Sequence, residues 1–318
     1  MKVAIDTFTL NKSYDFRTLE NLREWGDEYI WPRNTIINNE QQYYPSRVVH
    51  DCTRLDKSGL TIRAEPTPEH LVEYAQHQPY VSGLLTSRDH GHSQLFGYFE
   101  MSAQLPSASG AWPAFWLLPT FKSWPDGIAV LSEIDIMEAV TDVREGYYHV
   151  SSHTNESGKL VSTGRSINTG VNLTEEFHTY ALAWTHQWLI FYFDGVEVVR
   201  KVTPEDMKTE PRHMLLNLAV GGNWGGDVVP EDYPRKSEFK IEYVNCYDLP
   251  KDFDMDKPVE VGLPNPGPIS PEDRVRYGLD GDSVFMLDKA SEPKRKDVVT
   301  KRDIGKVTEY LIQLNETN

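Results

Sequence analysis

Alternation of apolar and polar residues dominates the first 250 residues. One face of LFGYFEMSAQLP (95–106) carries Phe99, Met101, Ala103 and Leu105, and the residues between them are polar or aromatic. This two-residue period is typical of a half-buried β-strand. Further β-rich runs occupy 177–184, 213–220 and 239–247. The pattern therefore predicts many short strands.

The remaining local signals fit the same class. WLIFYFDGVEVVRKV (188–202) consists of two β-rich runs joined at Asp194-Gly195, which predicts a hairpin with a type I′ turn. Only PEHLVEYAQ (68–76) predicts a modest helix, and TPEDM (203–207) predicts one helical turn. Many strands with few helices indicate an all-β fold of two sheets, one of them curved with a ligand-facing concave side.

The β-rich pattern ends at about residue 250, so we predict one β domain over 1–250. Residues 251–271 contain five prolines and predict an extended linker. Residues 272–318 are rich in charge, and only KRDIGKVTEYLIQL (301–314) has helical spacing of apolar residues. Two interpretations stay open for this extension: a loosely ordered tail with a terminal helix, or a segment for attachment or oligomerisation.

Charge and composition exclude several classes. The formal net charge is −16, from 48 acidic and 32 basic residues, which disfavours binding to nucleic acid. No apolar run reaches the length of a membrane span, and the first residues lack the apolar core of a signal peptide. Cys52 and Cys246 have no metal-binding spacing, and we expect free thiols rather than a disulfide.

Candidate chemistry is concentrated in SEIDIMEAV (132–140), where Glu133, Asp135 and Glu138 lie within six residues. On a regular strand Glu138 would face away from the other two acids, among aliphatic side chains, where a charge is costly. A β-bulge near Ile136–Met137 would return Glu138 to the acidic face. The sequence therefore predicts a bulge at this point.

Paired carboxyls on one face suit glycoside hydrolysis. Retention of configuration requires two carboxyls about 5–5.5 Å apart, one as nucleophile and one as proton donor. Three acids so close together cannot all ionise easily, so one pKa should rise and supply the general acid. The alternative is an acidic, solvated strand face with no chemistry.

The flanking sequence resembles glycoside hydrolase family 16, in its laminarinase-like and bacterial exopolysaccharide glycanase branch. The signature Glu-x-Asp-x-x-Glu is met by Glu133, Asp135 and Glu138, and GYFEMSAQLPSASGAWPAFWLLP precedes it. Similar blocks in the expected order are EYIWPRNTIINNEQQYY (28–44), FHTYALAWTHQWLIFYFDG (177–195) and LNLAVGGNWGG (216–226). The resemblance implies a β-jelly-roll sandwich of two antiparallel sheets with a concave cleft, and retaining, endo-acting hydrolysis of a β-linked polysaccharide.

The resemblance also implies roles for the three acids. Glu133 would be the nucleophile, Asp135 would assist it, and Glu138 would be the acid/base. Three departures leave the substrate open: Ser132 stands where relatives often have Gly, Ala183 precedes Trp184 where relatives often have Glu, and the loop FKSWPDGIAVL (121–131) differs locally from the family pattern. None of them removes a catalytic carboxylate.

Substrate-binding residues are expected from the same blocks: Trp31, Asn39, Glu40, Trp112, Trp116, His149, Asn217 and Trp224. We expect Phe115 to pack in the core and Trp116 to face the cleft. Asn217 needs a partner, either protein backbone or substrate. Of His149 and His153, one is expected to bind substrate and the other to be structural.

The resemblance implies no cofactor and no catalytic metal. It suggests at most one structural calcium ion, for which the sequence offers no dedicated loop. The expected partner is a polysaccharide, with no membrane insertion.

Two classes of substrate compete, a β-1,3 or mixed β-1,3-1,4-glucan and a succinoglycan-like bacterial exopolysaccharide. INNEQQYY and NLAVGGNWGG favour the second. Two functional alternatives stay open: a transglycosylase that uses the same residues, and a non-catalytic carbohydrate-binding jelly roll, which predicts loss of a carboxylate. Without a recognised signal peptide, non-classical export, a missing N-terminus or assembly into a phage particle would bring the chain to an extracellular polymer.

Overall fold

The computed structural model describes residues 8–17, 22–121, 131–140, 146–156 and 158–250. The predicted linker at 251–271 and the extension at 272–318 lie outside these residues. Within the described ranges, no helix has the length and apolar character needed to cross a bilayer.

Short strands account for about half of the described residues. In chain order they are β1 (Thr9–Asp15), β2 (Gln42–Tyr43), β3 (Thr53–Asp56), β4 (Gly59–Arg63), β5 (Glu65–Pro66), β6 (Tyr80–Val81), β7 (Leu84–Thr86), β8 (Ser93–Gln94), β9 (Gly97–Gln104), β10 (Ala111–Pro119), β11 (Glu133–Glu138), β12 (Tyr147–Glu156), β13 (Lys159–Asn168), β14 (His178–Trp184), β15 (Trp188–Phe193), β16 (Val196–Val202), β17 (Arg212–Val220) and β18 (Glu238–Asp248). The helical pieces are 3-10 turns at Glu69–Leu71, Glu205–Met207 and Pro230–Asp232, and one α-helical turn at Gly222–Gly225.

Two large antiparallel sheets form a sandwich, as predicted. The outer sheet has the order β16-β15-β14-β9-β18-β4-β3, with β1 paired to β18. The cleft-bearing sheet has the order β13-β12-β11-β10-β17-β7, with β8 paired to β17. A third, small sheet of β2, β6 and β5 was not predicted, and its β2–β6 pair is parallel. Its strands are two residues long, which is too short for a periodic signal.

The core lies between the two large sheets and follows the predicted alternation. Phe99, Met101 and Ala103 of β9 are fully buried against Phe115 and Leu117 of β10. Neighbouring positions of β9 face the other side of the outer sheet, where Tyr98 joins a separate apolar cluster. One continuous core of aliphatic and aromatic side chains therefore holds the sheets together.

Two local predictions are confirmed and one is wrong. Asp194 and Gly195 both have positive φ, 46° and 73°, as the type I′ turn between β15 and β16 requires. The single turn predicted at 203–207 is the 3-10 turn Glu205–Met207. The helix predicted over 68–76 is only the 3-10 turn Glu69–Leu71; turns follow it, and positive φ at Gln76 and His77 prevents any helical continuation beyond residue 75.

Both cysteines are free and buried, as predicted. Cys246 lies in the main core, with its Sγ 3.4 Å from Met214 Sδ. Cys52 packs in a smaller cluster with Tyr43 and Val81. Each thiol therefore acts as a small apolar side chain.

Candidate active site

A β-bulge interrupts β11 at the predicted place. On β10, Phe115 pairs with Met137 and the next residue, Trp116, pairs with Asp135, so Ile136 is the extra residue. The pairing of β11 with β12 shifts register over the same interval. Ile136 and Met137 both enter the core, and Glu138 returns to the side of Asp135.

The bulge brings all three acids to the floor of one cleft on the exposed face of the second sheet. This cleft has a volume of about 580 Å³ and is lined by Glu133, Asp135 and Glu138 together with both predicted histidines, His149 and His153. Glu133 and Glu138 are partly exposed, whereas Asp135 is only 2% exposed. The two glutamates can therefore reach a ligand, and Asp135 lies beneath them.

The short separation of these groups changes their protonation. Burial, and next the charge of Asp135, raises the pKa of Glu138 to about 8. The same two causes raise the pKa of Glu133 well above its usual range. At neutral pH the floor of the cleft therefore retains at least one carboxyl proton that an isolated glutamate would lose.

His153 supplies the positive charge closest to these acids. Its Nε2 lies 3.0 Å from Asp135 Oδ2 and 3.9 Å from Glu133 Oε1, and its Nδ1 shares a 2.6 Å hydrogen bond with Ser162 Oγ. Burial opposes its protonation, but the neighbouring carboxylates outweigh burial and raise its pKa to about 9. The contact with Asp135 is an ion pair by distance, although its angles are not those of a hydrogen bond.

An aromatic wall closes one end of the cleft. Trp112 Nε1 donates to Glu138 Oε1 at 2.9 Å. The Trp224 ring lies edge-on to Trp112, with centroids 5.0 Å apart, and edge-on to His149, at 4.8 Å. His149 is held in turn by a 2.6 Å hydrogen bond between its Nδ1 and Ser166 Oγ. Aromatic faces of this kind are common platforms for sugar rings.

The hydrogen-bond partners of Asn217 within the protein are side chains. Its amide oxygen accepts from Trp116 Nε1 at 2.7 Å, and its amide nitrogen donates to Tyr44 Oη at 3.0 Å. Its partners within the protein are therefore side chains and not backbone, and because Asn217 also lines the cleft, its contact with substrate stays a prediction. Trp116 lines the cleft and Phe115 is in the core, as predicted. Tyr44 was missed, because nothing local separates it from the neighbouring Tyr43.

The loop before β2 supplies the opposite lining. Glu40 is buried and accepts from Gln42 Nε2 at 2.6 Å and from Asn38 Nδ2 at 3.0 Å, and burial raises its pKa. Trp31 lines the cleft, stacked on Tyr29 with centroids 4.3 Å apart. Asn39 is not among the lining residues.

Asn39 differs from its neighbours because of its backbone direction. Both Asn38 and Asn39 have φ of 53°, so the chain turns there and Asn39 points outward. Its Nδ2 donates to Asn223 Oδ1 at 2.8 Å, in an exposed position at the edge of the cleft. Asn38, which sequence reasoning missed, lines the cleft in its place.

Two groups of side chains in the described residues have the composition of a metal site: His50, Cys52 and Glu65, and Glu133, Asp135 and His153. In the first group Glu65 already pairs with His50 at 2.7 Å and with Arg63 at 2.6 Å. Neither group offers the six or more oxygen ligands that calcium prefers. The structural calcium therefore stays a prediction.

The arrangement of acids, aromatic rings and sheets agrees with comparisons to known proteins. The sequence pattern of glycosyl hydrolases family 16 matches residues 40–245, a range that contains the three acids and most of the cleft. This chain belongs to glycosyl hydrolase family 16.

Individual family 16 relatives support the same assignment. The chain is 34% identical over 272 residues to endo-1,3-1,4-beta-glycanase ExsH of Rhizobium meliloti, which covers 80% of this chain and 55% of the relative. It is 34% identical over 256 residues to a beta-glucanase of Rhodothermus marinus, covering 74% of this chain and 82% of that protein. The chain thus spans about half the length of the rhizobial relative.

The family 16 fold is also found among solved structures. The laminarinase from Rhodothermus marinus superposes with a TM-score of 0.63 at 27% identity, covering 76% of this chain and 97% of that structure. The matched region therefore corresponds to almost the whole of that laminarinase.

The loop that carries Trp224 gives a testable prediction. A Cβ on Gly222 (φ 78°) would lie 2.8 Å from the backbone oxygen of Asn38, which accepts from Asn223 N, whereas a Cβ on Gly226 (φ 79°) meets nothing within 4 Å. Gly226→Ala should lower the free energy of unfolding by roughly 1–3 kcal/mol through its backbone conformation alone, because φ 79° with ψ −158° is accessible almost only to glycine. Gly222→Ala should lower it by roughly 1–3 kcal/mol more, through the close contact. Urea unfolding measures both, and equal losses would contradict this packing.

Proposed function

We propose that this protein is an endo-acting, retaining β-glycanase. The observation that carries the proposal is the bulge at Ile136, which gathers Glu133, Asp135 and Glu138 on the floor of one cleft lined with aromatic rings. A carbohydrate-binding protein has no need for two partly exposed glutamates whose pKa values are raised. Family membership supports the same chemistry.

The proposed reaction proceeds in two displacements. The ionised carboxylate of Glu133 attacks the anomeric carbon while Glu138 gives its proton to the leaving glycosidic oxygen. Glu138, now ionised, removes a proton from the incoming water, which displaces Glu133 with net retention. The raised pKa of Glu138, about 8, keeps it protonated at neutral pH for the first step.

Asp135 and His153 support the nucleophile in this scheme. Asp135 lies beneath Glu133 and pairs with the His153 ring 3.0 Å away. A protonated His153, 3.9 Å from Glu133, favours the ionised form of that carboxylate. The histidine therefore offsets part of the repulsion between two neighbouring acids.

The substrate class we propose is a β-linked polysaccharide, either a β-1,3 or mixed β-1,3-1,4-glucan or a succinoglycan-like exopolysaccharide. The lining of the cleft extends across five strands, β10 to β13 and β17, and the relatives named above are glycanases or glucanases. Trp112, Trp224 and Trp31 would carry the sugar rings, and Asn38 and Glu40 would reach hydroxyl groups.

The first test is a panel of polysaccharides comprising laminarin, lichenan, a succinoglycan and an agarose. We expect viscosity to fall before reducing ends accumulate on at least one polymer, the signature of endo action. Glu133→Gln and Glu138→Gln should each lower the rate by about 10²–10⁴-fold, with unchanged circular dichroism. Undiminished cleavage by either folded variant would refute the mechanism, and products longer than the substrate would indicate transglycosylation.

Azide distinguishes the two glutamates on an aryl β-glycoside whose leaving group needs no protonation. In Glu138→Ala, azide should replace water at the glycosyl-enzyme and give a β-glycosyl azide, with retained configuration. In Glu133→Ala, azide should occupy the vacated nucleophile position and give the α-glycosyl azide. Proton NMR of the anomeric signals reads the outcome, and the opposite pair of products would exchange the two roles.

The pH dependence of kcat/KM follows from the protonated state of Glu138. Since the general acid must hold its proton, activity should fall as pH rises through about 8. Trp112→Phe removes the hydrogen bond that favours ionised Glu138, so the alkaline limb should move to higher pH. Trp224→Phe retains that bond and serves as the control. An alkaline limb that moves equally in both variants would contradict the assignment.

A further inference from the structure

Arg212, the first residue of β17, is fully enclosed in the protein. Its side chain is 0% exposed and points between the two sheets, as does Met214 two residues later. The guanidinium carbon lies 5.6 Å from the centre of the Trp184 ring. Within the described ranges, no carboxylate lies within ion-pair distance of this guanidinium. Burying a charge in this way costs several kcal/mol unless other contacts offset it.

Ser132 accepts the two shorter hydrogen bonds that Arg212 donates. Arg212 Nη1 donates to the Ser132 carbonyl oxygen at 2.7 Å, and Nη2 donates to Ser132 Oγ at 2.6 Å. A longer contact of 3.4 Å joins Nη1 to the carbonyl oxygen of Leu117 on β10. The planar fork of an arginine suits two such acceptors, and the shorter ammonium of a lysine does not.

Ser132 immediately precedes Glu133, at a point where the strand ladder is ending. The last pair between β10 and β11 is Leu117 with Ile134. Beyond it, Arg212 rather than a neighbouring strand satisfies the carbonyl group of Ser132. The guanidinium therefore joins Leu117 on β10 to Ser132, just before β11, and limits movement of the backbone that carries Glu133.

The contact between Arg212 and Ser132 forms an anchor, and a second set of hydrogen bonds extends it to the neighbouring strand β12. Ser132 Oγ donates to the Asp206 carbonyl oxygen at 3.4 Å, and the Asp206 carboxylate accepts from the backbone N–H of Asn155 on β12 at 2.8 Å. Arg212, Ser132 and Asp206 thus connect three strands around the start of β11. Since β12 also carries His153, the anchor fixes the distance between that ring and Glu133.

The charge of Arg212 acts on the same region. Burial lowers the pKa of Arg212 to about 10, and the charges of Asp206, Glu133 and Asp135 oppose that lowering. Attraction between charges is mutual, so a guanidinium that stays protonated favours the ionised forms of these acids.

We infer that Arg212 is a positioning residue for the reaction, which holds Glu133 in place through Ser132. This inference rests on the proposed function. A solely structural arginine is the competing explanation. It predicts that substitution lowers stability, while the protein that remains folded keeps its kcat and pH profile.

Three substitutions separate the two explanations. Arg212→Met keeps a long side chain but removes its charge and its hydrogen-bond donors. Arg212→Lys keeps the charge. Ser132→Ala keeps the charge of Arg212 and its hydrogen bond to the carbonyl oxygen of residue 132, but removes the Oγ acceptor. Arg200→Met is the matched control, because Arg200 also lies over a tryptophan, Trp188, and pairs with Glu197 on β16. Kinetics on the best polymer of the panel would be measured below the melting temperature of each variant.

We expect kcat of Arg212→Met to fall by about 10- to 100-fold with KM within about threefold, because a misplaced nucleophile lowers the rate of reaction more than it lowers binding. Arg212→Lys and Ser132→Ala should each lower kcat by roughly 3- to 10-fold. Arg200→Met should retain wild-type kcat and pH limbs.

The acidic limb of the pH profile is the readout that a structural role would not move. The titratable or charged groups around Glu133 are Asp135 and Glu138 on β11, His153 on β12, Tyr29 from the loop before β2, and Arg212 itself. Removing the positive charge raises the pKa of Glu133, so the limb should move to higher pH in Arg212→Met. It should return towards wild type in Arg212→Lys and stay unchanged in Ser132→Ala.

A folded Arg212→Met with wild-type kcat and pH limbs would overturn the inference. If that variant does not fold, wild-type kcat in both Arg212→Lys and Ser132→Ala would overturn it instead. A wild-type protein that cleaves no polymer of the panel removes the proposed function and this inference with it, whereas an active wild type with unaffected variants removes the inference alone.

Discussion

Mutual repulsion of three carboxylates is the constraint around which this protein is organised. Glu133, Asp135 and Glu138 share one small, poorly hydrated space, where each negative charge makes the next one harder to form. The groups that surround them reduce this cost: His153 pairs with Asp135, and the Trp112 N–H bonds to Glu138. Burial, together with the repulsion that remains, keeps at least one proton on the cluster, and a general acid needs that proton.

The sheet positions these groups more rigidly than a loop could. The three acids and both cleft histidines lie on β11 and β12, which pair with each other and with β10 and β13. The loops contribute the aromatic and amide groups at the edges, where tolerance for different sugars is greatest. A rigid sheet that carries variable loops is the general way in which one fold supports different functions.

The departures from family pattern acquire a physical meaning in three dimensions. Ser132, which stands where relatives often have Gly, provides a hydroxyl acceptor that a glycine lacks, and the buried Arg212 uses it. The serine and the arginine are eighty residues apart in the chain and in direct contact in the fold. Each residue alone is unremarkable in the sequence, and together they form a specific anchor.

Where sequence reasoning failed, the missing information was long-range. Asn217 was expected to bond backbone or substrate, but its partners Trp116 and Tyr44 come from distant segments. Asn39 was expected in the cleft, but the positive φ of two consecutive asparagines turns it outward. A helix was expected over 68–76, but the chain forms only the 3-10 turn Glu69–Leu71, and positive φ at Gln76 and His77 bars a helix beyond residue 75.

The sequence by itself determined the all-β class, the Asp194-Gly195 hairpin and the bulge at Ile136, because each depends on local backbone preference or on the side-chain alternation of one strand. Only the tertiary structure decided which side chains satisfy Asn217, which asparagine lines the cleft, and that Arg212 holds Ser132. These contacts join residues far apart in the chain, and their energy depends on burial that no local pattern encodes.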